Sequence, residues 1–169
     1  RITNNPVEIS LAISKPAAGV KQHAHLAFNE QKNDLLNHIL KDKKDYESIL
    51  IFSSTKNKVF DIVKGLKRNG YSSAHGISSN LEQADREEVL RGFRSRRIRI
   101  LVATDVMSRG IDIKEINMVI NYDVPSDAED YVHRIGRTAR ANTKGEAHTF
   151  INPDDMRKFA RIEDLIETQ

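Results

Sequence analysis

Ser48-Ile49-Leu50-Ile51-Phe52-Ser53-Ser54-Thr55 is a continuous apolar run that breaks directly into three hydroxyl residues. Apolar residues at every position, rather than at every second one, suit a strand covered on both faces, as in a parallel sheet. The hydroxyls suit a helix start, where a Ser or Thr oxygen accepts a hydrogen bond from an orphan backbone amide. The helix that follows carries Val59, Phe60, Val63 and Leu66 as an apolar stripe and stops at Gly70, a residue that tolerates the left-handed conformation of a helix end.

The same strand, polar turn and helix recur outward from this unit. Tyr71 to His75 reads as a strand with Gly76 just beyond it, and Ser79-Asn80-Leu81-Glu82 leads into a helix whose buried stripe is Val89, Leu90 and Phe93. Ile98 to Ala103 is a second buried strand and Met118 to Tyr122 a third. Ser126 and Glu129 have capping-box spacing, so a helix opens near Asp127, with Tyr131, Val132 and Ile135 on its apolar side and Gly136 at its stop. Gly145 to Ile151 is the last strand and Pro153 to Ile166 the last helix, with Pro153 near its first turn. Upstream, Gln31 to Lys41 places Leu35, Leu36, Ile39 and Leu40 on one helical face. Before it, Val7 to Ile13 and Val20 to Phe28 are extended around a turn at Pro16 and Gly19. Alternating strands and helices predict one three-layer α/β domain with a mostly parallel central sheet.

Composition sets outer limits. The chain of 169 residues is the size of a single domain that can bury a core unaided, and 27 basic against 24 acidic residues leave a net charge of only +3. Overall charge therefore does not mark a nucleic-acid binder; local placement has to. There is no cysteine, so disulfides and thiolate chemistry are excluded. No apolar run approaches the roughly 20 residues that span a bilayer. The expectation is an intracellular, cytoplasmic protein with no membrane partner, a monomer as an isolated domain, and a fragment or processed product because it begins with Arg1. His23 and His25 read as isolated, and no metal-ligand spacing is present.

Polar residues collect just after the strands, at the carboxyl edge where open α/β sheets bind ligands. Gln83 and Arg86 border the first turns of their helix there, where a bound phosphate offsets the cost of a cation at a helix N-terminus. Thr104-Asp105 and Ser108-Arg109-Gly110-Ile111-Asp112 follow another strand; Gly110 permits close backbone approach and Asp112 can accept from sugar hydroxyls, or simply cap a turn. His133-Arg134-Ile135-Gly136-Arg137-Thr138-Ala139-Arg140 holds three arginines within eight residues. Arg137 and Arg140, three apart, suit an anion with several oxygens, though for an isolated pair surface ion pairs with acids are the commoner explanation. Arg91, Arg94, Arg96, Arg97 and Arg99 read mostly as a solvated helix end, where cations are favoured anyway.

In this order the segments resemble the C-terminal RecA-like domain of DEAD-box ATP-dependent RNA helicases. The matching pieces are Leu50 to Thr55, Gln83-x-x-Arg86, Ala103-Thr104-Asp105 with Arg109-Gly110-x-Asp112, and His133 to Arg140, within a likeness running from about Pro6 to about Ile166. Ser108 and Ala139 stand where alanine and glycine are usual. The resemblance implies half of a two-domain, RNA-dependent ATPase that unwinds or remodels duplexes, with ATP and Mg2+ held mainly by an N-terminal RecA-like domain. No G-x-x-x-x-G-K-[ST] phosphate loop occurs here, so the chain alone is expected to be inactive. By the same resemblance Arg137 and Arg140 reach the γ-phosphate, with Arg140 the arginine finger, and Gly110 and Asp112 touch the nucleotide. Gly76, Gln83, Arg86 and Thr104 contact single-stranded or short duplex RNA without reading its sequence, and Asp105, Arg109, His133 and Arg134 couple the two domains. A DNA-acting translocase and a non-catalytic RNA-binding module of the same fold are the alternatives. A dinucleotide-binding domain is disfavoured by the missing G-x-G-x-x-G.

Overall fold

Alternate residues along each central strand pack against opposite layers of helices, and this divides the molecule. The computed structural model describes residues 8–10, 19–108, 113, 115–138 and 145–168. Its strands are β1 (Glu8–Ser10), β2 (Val20–Leu26), β3 (Ile49–Phe52), β4 (Ala74–Ile77), β5 (Ile100–Ala103), β6 (Met118–Asn121) and β7 (Gly145–Ile151). The helices are α1 (Lys32–Lys41), α2 (Lys56–Arg68), α3 (Gln83–Arg94), α4 (Asp105–Ser108), α5 (Ala128–Ile135) and α6 (Met156–Thr168). The strands form one sheet in the order β1-β2-β7-β6-β3-β5-β4. Only the β1–β2 pair is antiparallel; every other pair is parallel.

Ile49 and Ile51 of β3 pack with Leu35, Leu36, Ile39 and Leu40 of α1 and with Val59, Ile62 and Leu66 of α2. Leu50 and Phe52, the alternate positions, pack with Leu90 and Phe93 of α3 on the other face. A third cluster joins Val20, Ala24, Ala147 and Ile151 to Tyr131 and Ile135 of α5 and Phe159 and Ile162 of α6. A period of two with both sets apolar is what a sheet covered on both faces demands. The RecA-like three-layer arrangement expected from the sequence is therefore the one observed.

Four local expectations change. Phe60 is 67% exposed, and Ile62 takes the buried place, because at about 100° per residue Phe60 is turned well away from the side that Val59 and Leu66 bury. β4 starts at Ala74 rather than Tyr71, since residues 71 to 74 close a turn in which the Ala74 amide donates to the Tyr71 carbonyl, 3.1 Å. Gly76 thus lies inside the strand. α5 is capped by Asp127, whose carboxylate accepts from the Glu129 amide at 2.9 Å, in place of the Ser126–Glu129 box. Gly136 keeps a right-handed conformation, φ −60°, and the chain runs on through a turn in which Arg137 and Thr138 donate to Arg134 and Ile135. The chain around Pro16 lies outside the described residues.

Gly76 is a packing requirement of this layer. A Cβ there would sit 2.8 Å from Val59 Cγ1 and 3.2 Å from Val63 Cγ2, so α2 rests on the bare backbone of β4. Overpacking of this kind costs about 1–3 kcal/mol. Gly76→Ala is expected to lower the urea midpoint accordingly with an unchanged m-value; an unaltered midpoint would show that α2 moves aside freely.

Candidate functional site

Arg134 projects from the last turn of α5 into the interior and is only 4% exposed. Its Nε donates to Asp105 Oδ1 at 2.7 Å while its second terminal nitrogen pairs with the other oxygen of the same carboxylate. The remaining terminal nitrogen donates to Asn121 Oδ1 at 2.9 Å and to the Asp123 carbonyl at 3.4 Å. The guanidinium lies over the Phe52 ring, 4.6 Å from its centre. A planar fork of donors can serve carboxylate, amide and ring together; a lysine ammonium cannot. Arg134 thus faces inward, and it can bear on a second domain only through the groups it positions.

A second charged centre lies at the ends of β3 and β6. Asp123 accepts from Lys32 Nζ at 3.0 Å, Lys58 Nζ at 3.0 Å, the Ser54 amide at 2.8 Å and Ser53 Oγ at 3.3 Å. Lys32 is 1% exposed, and this carboxylate is the opposite charge that offsets its burial. Burial pushes the Asp123 carboxyl up, but Lys32, the Ser54 amide and Lys58 together outweigh it and hold the group well below the usual carboxylate range. Of the three hydroxyls after β3, Thr55 alone caps α2, accepting from the Lys58 amide at 3.2 Å.

The residues expected to bind RNA sit toward one edge of the sheet. Gly76 is within β4, Gln83 and Arg86 lie in the first turns of α3, and Thr104 follows β5. Gln83 is exposed and bonds to Glu87 at 3.1 Å. Arg86 donates to the Met107 carbonyl in α4 at 3.2 Å, while its buried Nε has no acceptor among the described residues. α4 opens with Asp105, the partner of Arg134, so one short helix is tied at one end to Arg86 and at the other to α5. His133 is exposed on α5 and Arg137 is half-buried just after it. Arg109, Gly110, Asp112 and Arg140 lie outside the described residues.

Sequence reasoning missed Lys32, Lys58 and Asp123, and it misjudged the histidines as isolated. The parallel register sets His23 opposite His148. The rings of His23, His25 and His148 stack, with His23 and His148 4.6 Å apart at 8°, and Glu146 lies against them. The His-x-His and Glu-x-His spacings were the available signal, because alternate residues of a strand share a face. Their meeting depended on a register between strands more than a hundred residues apart.

The Asp123 centre makes stability acid-sensitive. The folded state holds this carboxyl below its ordinary value of 3.8, so between the two values the unfolded chain binds a proton that the folded chain does not. The contribution is complete above pH 3.8 and is lost as pH falls below it. Asp123→Asn, which strands the Lys32 charge, is expected to cost about 3–5 kcal/mol at neutral pH by urea denaturation. The gap from the unsubstituted chain should narrow in acid; a constant gap would contradict the assignment.

The chain is similar to known proteins over most of its length. Residues 31–142 match the helicase conserved C-terminal domain family. ATP-dependent RNA helicase DeaD of Buchnera aphidicola is 38% identical over 163 residues, covering 96% of this chain and 27% of that protein. The chain thus spans about a quarter of the length of that relative. The crystal structure of E. coli DEAD-box protein SrmB superposes with a TM-score of 0.76 at 32% identity, covering 83% of this chain and 82% of that one. The C-terminal domain of the DEAD-box protein Dbp5 gives 0.80 at 29% identity, covering 89% and 87%. With a family match over most of the chain, relatives near 40% identity and solved domains of the same fold, the chain belongs to the C-terminal RecA-like domains of the DEAD-box ATP-dependent RNA helicases.

Proposed function

We propose that this chain completes the ATP site of a two-domain, RNA-dependent ATPase and carries part of its RNA-binding surface, so that nucleotide-driven closure of the two domains remodels RNA duplexes. The observation that carries this reading is the double tie of α4: Asp105 to Arg134 at one end and the Met107 carbonyl to Arg86 at the other. One rigid step thereby joins the residue assigned to RNA with the helix that presents the phosphate-facing arginines.

Arg134 anchors α5 from within, and the chain then turns at Arg137, whose carbonyl accepts from the Ile116 amide at 3.4 Å just before β6. Arg137 and Arg140 are assigned to the γ-phosphate, where positive charge offsets the negative charge spread over the transferring group's oxygens. Asp112 and Gly110 are assigned to the ribose side of the nucleotide. Both oxygens of Asp105 are taken by Arg134, a donor set unsuited to Mg2+, which falls to the N-terminal RecA-like domain that holds ATP. On the RNA side Gly76, Gln83, Arg86 and Thr104 offer backbone, amide, guanidinium and hydroxyl groups. Such groups meet phosphates and 2′-hydroxyls and position a strand without reading its bases. Arg86 Nε, buried and without an acceptor among the described residues, becomes a donor for a phosphate oxygen once the side chain turns outward. His133 and Arg109 are assigned to the facing domain.

The test is phosphate release by a protein that joins this chain to its ATP-binding domain, with and without single-stranded RNA. RNA should stimulate turnover, and Arg140→Lys should reduce it by about 10³-fold or more while RNA binding persists. The 169-residue chain alone should release no phosphate above background. Stimulation by DNA but not RNA would reassign the substrate, and absence of turnover with either would leave a binding module.

A further inference from the structure

The carboxylate and imidazole groups on the α1 side of the sheet form a second centre, separated by the sheet from the Arg134 network. On β2, His23 and His25 are alternate residues; on β7, Glu146 and His148 are alternate residues; the register brings them side by side. His23 Nε2 lies 3.9 Å from Glu146 Oε1, and His148 Nε2 lies 2.6 Å from the same oxygen. One ligand atom from each of the three residues lies within 4.8 Å of the others, and all three residues are buried. We propose that His23, His148 and Glu146 bind a divalent transition-metal ion, Zn2+ by preference, which cross-links β2 to β7.

Two imidazoles and one carboxylate are a zinc donor set, and softer or harder ions fit them less well. Zn–N and Zn–O bonds of about 2.0–2.2 Å put neighbouring ligand atoms of a tetrahedral site about 3.3 Å apart. The 2.6 Å contact must open and the 3.9 Å contact close, each by roughly half an ångström to an ångström on that geometry. The His23 and His148 planes are nearly parallel, so one ring also turns about its Cβ–Cγ bond to aim its lone pair at the shared point.

Groups around the ligands already orient them. Glu146 Oε2 accepts from Tyr46 Oη at 2.6 Å and from Lys43 Nζ at 2.9 Å, which leaves Oε1 toward the rings. His148 Nδ1 and His25 Nε2 are 2.8 Å apart, and either ring can donate. When Nε2 of His148 turns to a metal, its proton is carried on Nδ1 instead and donated to His25. This is the arrangement by which a second ring nitrogen fixes a ligating histidine. A groove of about 260 Å³, lined also by Lys21, Leu35, His38 and Asp42, reaches the cluster and gives room for water at the fourth position. Lys43 is the opposing feature: its ammonium beside Glu146 repels an incoming cation, so it limits affinity.

The test is calorimetric titration of the metal-stripped, untagged chain with Zn2+, with Co2+ absorption reporting coordination number and circular dichroism confirming the fold of each variant. One equivalent should bind, and thermal stability should rise with Zn2+ concentration, since the ion binds the folded chain. His23→Ala and His148→Ala should abolish the one-to-one event. Tyr46→Phe should weaken it about tenfold or more, as loss of an outer partner does. Lys43→Met should tighten it on the order of tenfold by removing like-charge repulsion, a gain that no loss of structure can mimic. Absence of saturable one-to-one uptake, or uptake unchanged in folded His23→Ala and untouched by Lys43→Met, would overturn the site.

Discussion

A guanidinium held at 4% exposure at the strand ends must find partners for its donors or destabilise the fold, and Arg134 finds them on separate elements. Asp105 belongs to α4, Asn121 to β6, and the ring beneath it, Phe52, to β3. Asn121 passes the constraint on, donating to Thr149 Oγ1 of β7 at 3.0 Å. The carboxyl ends of several strands therefore keep one spacing because a single planar group requires it. Replacement by lysine would preserve the charge and lose the geometry.

Next to it the sheet edge carries a centre of the opposite kind, in which one carboxylate, Asp123, serves two lysines and a backbone amide. The two centres meet at residue 123, whose side chain belongs to one and whose carbonyl belongs to the other. Between Arg134 and Arg86 stands α4, a helix of four residues. A helix so short has no stability of its own, because nucleation costs more than one turn of hydrogen bonds returns. It is held by its ties and by Met107 packed on the core beside α3, and an element that depends on such outside contacts is the kind that can pass a change at one end to the other.

The histidine cluster shows a different economy of the fold. α1 covers the middle strands and leaves the His23–His148 groups beside a groove, so these buried polar side chains on the sheet face lie next to an opening. Burial pushes the Glu146 carboxyl up, yet hydrogen bonds from His148, Tyr46 and Lys43 hold it low, while burial pushes His148 down.

The order of strands and helices, the two-sided core and the polar turns at the carboxyl edge were all readable in the sequence, because each follows from a local pattern. Leu50 beside Ile51, or Leu35 beside Leu36, records which layers a segment must face whatever its neighbours are. Gln83, Arg86, His133 and Arg134 were placed on their helices for the same reason, whereas Gly76 fell inside β4 rather than beyond it. The direction of Arg134, the pairing of Lys32 with Asp123 ninety-one residues away, and the meeting of His23 with His148 were decided only in three dimensions. A long side chain has several rotamers of similar energy on an isolated helix, and a strand pattern specifies a face but not a partner. What selects among them is the cost of leaving a buried charge or polar atom unpaired, and that cost exists only once the elements have packed.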